Sequence, residues 1–189
     1  MPETQMEKAF DYLARIGEAA LSAPEPPSHY VMSHKRENYK LFPILYPLER
    51  FIVLFGELAA YRDDMYVATW GAHGVAGHAW EILDFLSNSD AITFEDLHKK
   101  LSRRGVTEEV HAGDVRELIE RGWAEENSGV VKATEAGKQV RAEVEAETER
   151  LFFAPWSCLN ESELDELASL ASQLRDGLNN QAEIQGAHD

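Results

Sequence analysis

Apolar residues recur every three or four positions in two N-terminal stretches, and each stretch predicts a helix with one buried face. The first stretch, residues 4–21, carries Met6, Phe10, Leu13, Ile16 and Ala20. The second, residues 48–61, carries Leu48, Phe51, Ile52, Phe55, Leu58 and Ala59. Prolines between them predict an extended linker followed by short helical pieces, since proline interrupts a helix. These prolines are Pro24, Pro26, Pro27, Pro43 and Pro47. Residues 66–70 are expected to form another short helix.

Residues 75–134 alternate between helical and extended patterns. A first helix is predicted at 75–87 and a short strand at 91–93. Thr93 and Thr107 are each placed to cap the helix that follows, because a threonine oxygen can accept a backbone N–H there. Gly105 lies in the turn between these two helices, the second of which is expected to run to about residue 103. The third ends at Gly122, and its predicted buried face consists of Val110, Val115, Leu118 and Ile119.

Two short extended segments follow the third helix, on either side of Asn127-Ser128-Gly129. Such a turn between short strands predicts a β-hairpin. A hairpin directly behind a helix-turn-helix occupies the position of a wing. Residues 75–134 are therefore predicted to form a winged helix-turn-helix.

The C-terminal region is predicted to contain two further helices. Thr134 caps a helix from residue 135 to about 153, which Pro155 ends, and Asn160 with Glu163 caps the last one. This last helix carries an apolar seam of Leu164, Leu167, Ala171, Leu174 and Leu178. The seam favours a homodimer, although it could also close within one chain.

The predicted fold class is therefore mainly α with a small β-wing. An N-terminal helical region (1–74) precedes the winged helix-turn-helix (75–134). A C-terminal helical region for dimerisation (135–180) and a flexible polar tail (181–189) follow it.

Several motifs carry a family resemblance. The block at 114–123 (DVRELIERGW), followed by that at 133–138 (ATEAGK), resembles the end of the recognition helix, the wing and the start of the following helix in MarR-like winged helix regulators. A closer likeness, over about residues 50–178, is to a bacterial family of MarR-like helix-turn-helix proteins. It rests on the blocks at 57–64 (ELAAYRDD), 70–77 (WGAHGVAG) and 145–151 (EAETERL), and on Pro155, Trp156 and Leu159. Where that family has Arg-Gly-Asp-x-His, this chain has Tyr66 in place of the histidine.

The resemblance implies a DNA-binding transcription regulator, and the charge of the chain opposes that implication. The net charge is −16, with −4 in residues 1–82, −5 in 83–137 and −7 in 138–189. Because phosphate neutralisation supplies much of the affinity for nucleic acid, no segment predicts a broad DNA-binding face. The predicted third helix also begins with two glutamates, Glu108 and Glu109, which suit a helix N-terminus but are repelled by phosphate.

A smaller patch of cations is still present at the end of the predicted second helix and in the turn. Lys99, Lys100, Arg103 and Arg104 are candidates for phosphate contacts, with the solvated end of a helix as an equally good interpretation. Thr107, His111 and Arg116 are candidates for contacts to bases, since the first half of the third helix enters the major groove in winged helices. Lys132 is the basic residue of the wing.

Other chemistries find little support in the sequence. No apolar run of about 18 residues and no secretory signal are visible, which favours the cytoplasm and no membrane partner. Cys158 is the single cysteine and excludes an internal disulfide.

The histidine pairs His29/His34 and His73/His78 have a spacing of five, which does not place two metal ligands on one helix face. Carboxylate runs near 143–149 and 161–166 predict solvated faces, and no catalytic or cofactor-binding motif appears. We therefore expect no metal, no cofactor and no enzymatic activity.

Aromatic side chains between residues 39 and 80 suggest a binding pocket for a small aromatic ligand. Its predicted residues are Trp70, His73, His78 and Trp80, which flank glycine-rich backbone. A MarR-like transcriptional regulator is the leading hypothesis. The alternatives are a winged-helix protein for protein association or ligand sensing without DNA binding and, third, a helical metalloenzyme.

Overall fold

The computed structural model describes residues 2–23, 30–41 and 46–186. The predicted proline linker at 24–27, His29, Phe42 and Pro43 lie outside the described residues. Eight helices occur in the described part: α1 Glu3–Leu21, α2 Tyr30–Tyr39, α3 Pro47–Gly71, α4 Gly77–Ser87, α5 Phe94–Leu101, α6 Glu108–Glu120, α7 Glu135–Phe153 and α8 Glu161–Gly186. Its strands are β1 Ile92–Thr93, β2 Ala124–Asn127 and β3 Val130–Ala133. The predicted fold class, mainly α with a small β-wing, is confirmed.

Contacts group the chain into two compact units. Residues 1–65 with 150–189 form what we call the helical unit, and residues 66–149 form the winged unit. No helix in the described residues is long and apolar enough to cross a membrane.

The core of the helical unit is built from α1, α2, α3 and residues 151–170, which include the start of α8. Phe10 and Ile16 of α1 are fully buried, and Leu167 and Leu170 of α8 pack in the same cluster as α1. The first half of the α8 seam therefore closes within the chain. Leu174 is only half-buried and Leu178 is 44% exposed, so the second half of the seam stays accessible.

Helix α3 is one continuous helix, whereas the sequence predicted two pieces separated near residues 62–65. The polar residues there do not interrupt the helix. Asp64, one of them, is buried and accepts hydrogen bonds from the backbone of α2. Its two carboxylate oxygens accept the backbone N–H groups of Val31 and Met32, at 2.9 and 3.0 Å. Asp64 thus satisfies the free N–H groups at the start of α2.

The winged unit has a core of fourteen buried residues, which are Val75 and residues of α4, α5, α6, the strands and α7. The sheet order is β1-β3-β2 with antiparallel pairing, and Val131 of the central strand is fully buried. Ser128 and Gly129 have φ of 55° and 81° at the tip of the β2–β3 hairpin. Positive φ at both central residues matches the right-handed twist of a two-residue hairpin, so the predicted wing turn is confirmed.

Candidate nucleic-acid interface

The helix-turn-helix is formed by α5, a 3₁₀ turn at Ser102–Arg104, and α6. Both predicted caps are present. The Thr93 hydroxyl accepts the N–H of Asp96 at 3.2 Å, and the Thr107 hydroxyl accepts that of Val110 at 3.4 Å. Gly105 adopts φ of 74°, a left-handed conformation that favours glycine, and so turns the chain between the two helices. Local sequence signals therefore fix where both helices start.

The four predicted phosphate-binding cations divide into two groups. Lys99, Lys100 and Arg103 are exposed, and none of them forms an ion pair within residues 2–23, 30–41 and 46–186. Arg104 is exposed as well, but its Nε lies 3.0 Å from a carboxylate oxygen of Glu81 on α4. Three cations are thus available to a polyanion directly, and the fourth must first leave its partner or share it.

The wing offers less unpaired positive charge than the turn between α5 and α6. The Nζ of Lys132 lies 2.8 Å from Glu125 Oε1 on the neighbouring strand. The hydrogen bond to Glu125 and its negative charge raise the pKa of Lys132. The charge of this predicted contact residue is therefore largely balanced within the hairpin.

The first turn of α6 presents an acidic surface. Glu108 and Glu109 are exposed, and the Thr107 hydroxyl beside them is engaged in its cap. Arg116 is exposed about two turns further along, where its Nε donates to the carbonyl oxygen of Ala112 at 3.2 Å. Among the predicted base contacts, Arg116 is the cation that the structure places on the surface of α6.

The prediction that His111 contacts bases is wrong. Its side chain is 1% exposed and lies in the interior of the winged unit. His111 shares the inward face of α6 with Asp114, Val115 and Leu118, all of which are buried. This face begins at residue 111, and Val110, which was expected to be buried, is 40% exposed.

Two polar pairs lie on this inward face. The Nδ1 atoms of His111 and of His98 on α5 are 2.9 Å apart, and their ring planes are inclined at 72°. Nδ1 of His78 on α4 lies 2.7 Å from an oxygen of the buried Asp114 carboxylate. The spacing of residues along the sequence does not predict these pairs, because each joins residues of different helices. The available signal was the helical register of 111, 114, 115 and 118, which places two polar residues in an apolar stripe.

An open pocket of about 520 Å³ lies in the winged unit beside α4. Three of the four residues predicted for a ligand pocket line it: Trp70, His78 and Trp80. His73 stacks with Trp80 at 6.2 Å and packs edge-on against Trp123. The remaining lining residues are Tyr66, Val67, Gly77, Glu81, Asp84, Arg104 and Val106.

Hydrogen bonds and ion pairs hold the walls of this pocket. The Trp80 indole N–H donates to the Tyr66 hydroxyl at 2.7 Å, which gives the tyrosine at this position a structural role. Burial is the main cause that raises the pKa of Tyr66. Glu81 pairs with Arg104, and Arg141 donates to Asp84 at 2.9 Å. The pocket therefore combines aromatic faces with charges that are already paired.

The chain belongs to the Helix-turn-helix family, whose model matches residues 52–184. In structure it resembles the multiple antibiotic-resistance repressor MarR from Listeria monocytogenes 4b F2365, with a TM-score of 0.61 and 17% identity over 70% of this chain and 96% of that one. It also resembles MepR, a transcription regulator of the Staphylococcus aureus multidrug efflux pump MepA. That match has a TM-score of 0.57 and 15% identity over 68% of this chain and 98% of the other. No curated protein matches the chain. The fold is thus that of the MarR-like winged helix-turn-helix proteins, as the sequence motifs predicted.

Proposed function

We propose that the protein is a DNA-binding transcriptional regulator whose winged unit meets the duplex. The observation that carries this proposal is the position of Lys99, Lys100 and Arg103. These exposed cations, without ion-pair partners in the described part of the chain, lie where α5 ends and the chain turns into α6. In a helix-turn-helix this is the region that meets the DNA backbone while the start of the recognition helix enters the major groove.

The other predicted contact residues differ in what each can contribute to DNA binding. Arg116 is the candidate for a guanine, since arginine recognises the O6 and N7 edge of that base in pairs of hydrogen bonds. Arg104 and Lys132 reach phosphate only at the expense of their pairs with Glu81 and Glu125. Thr107 positions α6 through its cap. Binding is expected to be weak on random DNA, because the winged unit carries 9 basic and 17 acidic residues.

A salt titration of binding to a mixed-sequence duplex pool tests the DNA role. Three phosphate contacts give a slope of log affinity against log salt of about −2.7, and each of Lys99→Ala, Lys100→Ala and Arg103→Ala is expected to reduce it by about 0.9. Lys138→Ala is the matched control, since Lys138 is exposed in the same unit but pairs with Glu135 on α7. Absence of binding at about 50 mM salt, where phosphate contacts are strong, would refute the proposal.

The pocket beside α4 favours ligand sensing as a second candidate function, with or without DNA binding. Trp70, Trp80 and Tyr66 offer aromatic surface to a planar ligand, and the volume of about 520 Å³ lies within the range of small-molecule sites. Isothermal titration calorimetry can be carried out with indole, benzoate and benzamidine, which are neutral, anionic and cationic aromatic probes. A saturable heat change that Trp70→Leu abolishes supports this function, and the absence of any saturable change with all three probes counts against it.

A further inference from the structure

The contact between His98 and His111 joins the two helices of the helix-turn-helix. His98 is half-buried on α5, and His111 is buried on α6. Their Nδ1 atoms face each other at 2.9 Å, which is hydrogen-bond distance. A bond between two ring nitrogens requires a hydrogen on one of them and a lone pair on the other.

This requirement makes the contact sensitive to the number of protons on the pair. With both rings neutral, one Nδ1–H donates to the other Nδ1. A first proton on either ring preserves the bond, because the charged ring still donates to the neutral one. A second proton leaves two N–H groups and two positive charges facing each other at this distance. The doubly charged pair therefore repels where the other states attract.

The other charged groups around His111 do not offset the repulsion that a second proton creates between the two rings. Asp114, on its own helix, is attractive, but its carboxylate already pairs with His78 of α4. Glu81 of α4 is attractive as well and pairs with Arg104, while His78 itself repels when charged. Burial lowers the pKa of His111, and the neighbouring His98 lowers it further. The interior of the winged unit thus favours the neutral form of His111.

We propose that the His98–His111 pair is a proton-operated switch that holds α5 against α6 at neutral pH and releases them when both rings are charged. Release displaces the turn that carries Lys99, Lys100 and Arg103 from the start of α6. If the proposed DNA-binding function holds, acidification then weakens DNA binding. The helix movement itself is independent of that function and can be measured without DNA.

The direction follows from the lowered pKa of His111. A ring released from the interior takes up a proton near its ordinary pKa of about 6.5, whereas the packed ring does so only at lower pH. The closed arrangement is thus fully favoured above about pH 6.5 and loses stability as the pH falls toward the pKa of the packed ring. The equilibrium constant for opening rises by up to about tenfold per pH unit in that window for one additional proton.

Hydrogen exchange of the full chain at several pH values tests the switch, with amide rates corrected for their intrinsic pH dependence. Between pH 7.5 and 5.5, amides of α5 and α6 are expected to lose protection in the unmodified protein, by up to about tenfold for one additional proton. His98→Gln replaces the second ring with a neutral side chain and keeps an amide donor near His111, so the loss should be smaller than in the unmodified protein. His34→Gln, which removes an exposed histidine of the helical unit, is the control and should behave as the unmodified protein does.

DNA affinity provides the second readout. Protonation of exposed histidines adds positive charge and strengthens DNA binding, so an affinity that falls with acidification has the sign of the switch. Equal acid sensitivity of α5 and α6 in His98→Gln and in the unmodified protein would overturn the inference. If no variant binds DNA at any pH while the exchange data show the expected pattern, the DNA-binding proposal fails and the switch stands.

Discussion

Gly137 lies in the first turn of α7, at a point where another part of the backbone leaves no room for a side chain. A Cβ atom there would overlap the carbonyl oxygen of Trp123 and lie 2.9 Å from its carbonyl carbon. The same carbonyl oxygen accepts the N–H of Thr134 at 3.0 Å, and the Thr134 hydroxyl donates to the carbonyl of Gly122 at 2.6 Å. These contacts fasten the start of α7 to the base of the wing, which explains the glycine in the Thr-Glu-Ala-Gly motif.

Gly137→Ala is expected to lower the free energy of unfolding by about 1–3 kcal/mol or more, since two backbone segments must separate to admit the methyl group. Gly177→Ala is the matched control, because Gly177 also lies in a helix and its added methyl group would have no described neighbour within 4 Å. It should gain about 0.5–1 kcal/mol from helix propensity. Chemical denaturation of both variants measures the difference, and equal stability of the two would contradict this explanation.

Single residues were predictable from the sequence where their partners are local. The caps at Thr93, Thr107 and Asn160 are all present, and the Asn160 cap is reciprocated by a hydrogen bond from the Asn160 N–H to Glu163. His111 was assigned to the wrong face because its partner lies on another helix, 13 positions away. A spacing argument within one helix cannot identify a buried polar residue that is satisfied from outside.

Helix α6 combines an inward face that contains a histidine and an aspartate with an outward first turn that carries two glutamates. Glu108 and Glu109 follow the Thr107 cap and stabilise the start of the helix, because their negative charges interact favourably with the helix dipole. In the proposed complex the same carboxylates face the phosphates or bases of DNA. The element therefore gains stability from residues that lower its affinity for a polyanion.

The double substitution Glu108→Gln and Glu109→Gln is expected to strengthen binding to mixed-sequence DNA, because it removes two repulsive charges. A change of about twofold to fivefold per residue corresponds to the roughly 0.5–1 kcal/mol of an exposed charge pair. The same double substitution should lower thermal stability slightly, since the favourable helix-dipole interaction is lost. Fluorescence anisotropy at fixed salt measures the affinity, and the double substitution Glu143→Gln and Glu149→Gln, of two exposed carboxylates on α7, controls for net charge. Unchanged or weaker binding by the double variant would place the first turn of α6 away from DNA.

Over the whole chain, the sequence predicted the order and type of the elements better than their assembly. The caps, the wing turn and the apolar stripes are local, and they marked most helices and the hairpin. The grouping of α1 with α8 depends on contacts between residues more than 140 positions apart, such as the pair between Arg15 and Glu163. No periodicity within one helix encodes that partner. The seam on α8 was visible in the sequence, but the half that closes within the chain was not.

Dimerisation stays a prediction, and the exposed half of the α8 seam is the surface to test. Leu178 is 44% exposed, and Leu174 is half-buried one turn before it. Leu178→Glu is expected to shift a dimer toward monomer by about tenfold or more in the dissociation constant, because a charge would be buried at the contact. Analytical ultracentrifugation over a concentration series measures it, with Ser172→Glu as the control on the same helix. A chain that sediments as a monomer before substitution, or a dimer that Leu178→Glu leaves intact, would exclude this surface.

The central strand of the sheet also bears on how the winged unit is made during translation. Ile92 of β1 pairs with Val131 of β3, about 40 residues later, while β2 and β3 are joined by a hairpin. The hydrogen bonds within α4, α5 and α6 are local, whereas β1 must wait for β3. Until β3 emerges, Ile92 lacks its strand partner and the core cluster that includes Leu97 lacks Val131. The unit therefore completes its core only when nearly all of its residues have been synthesised.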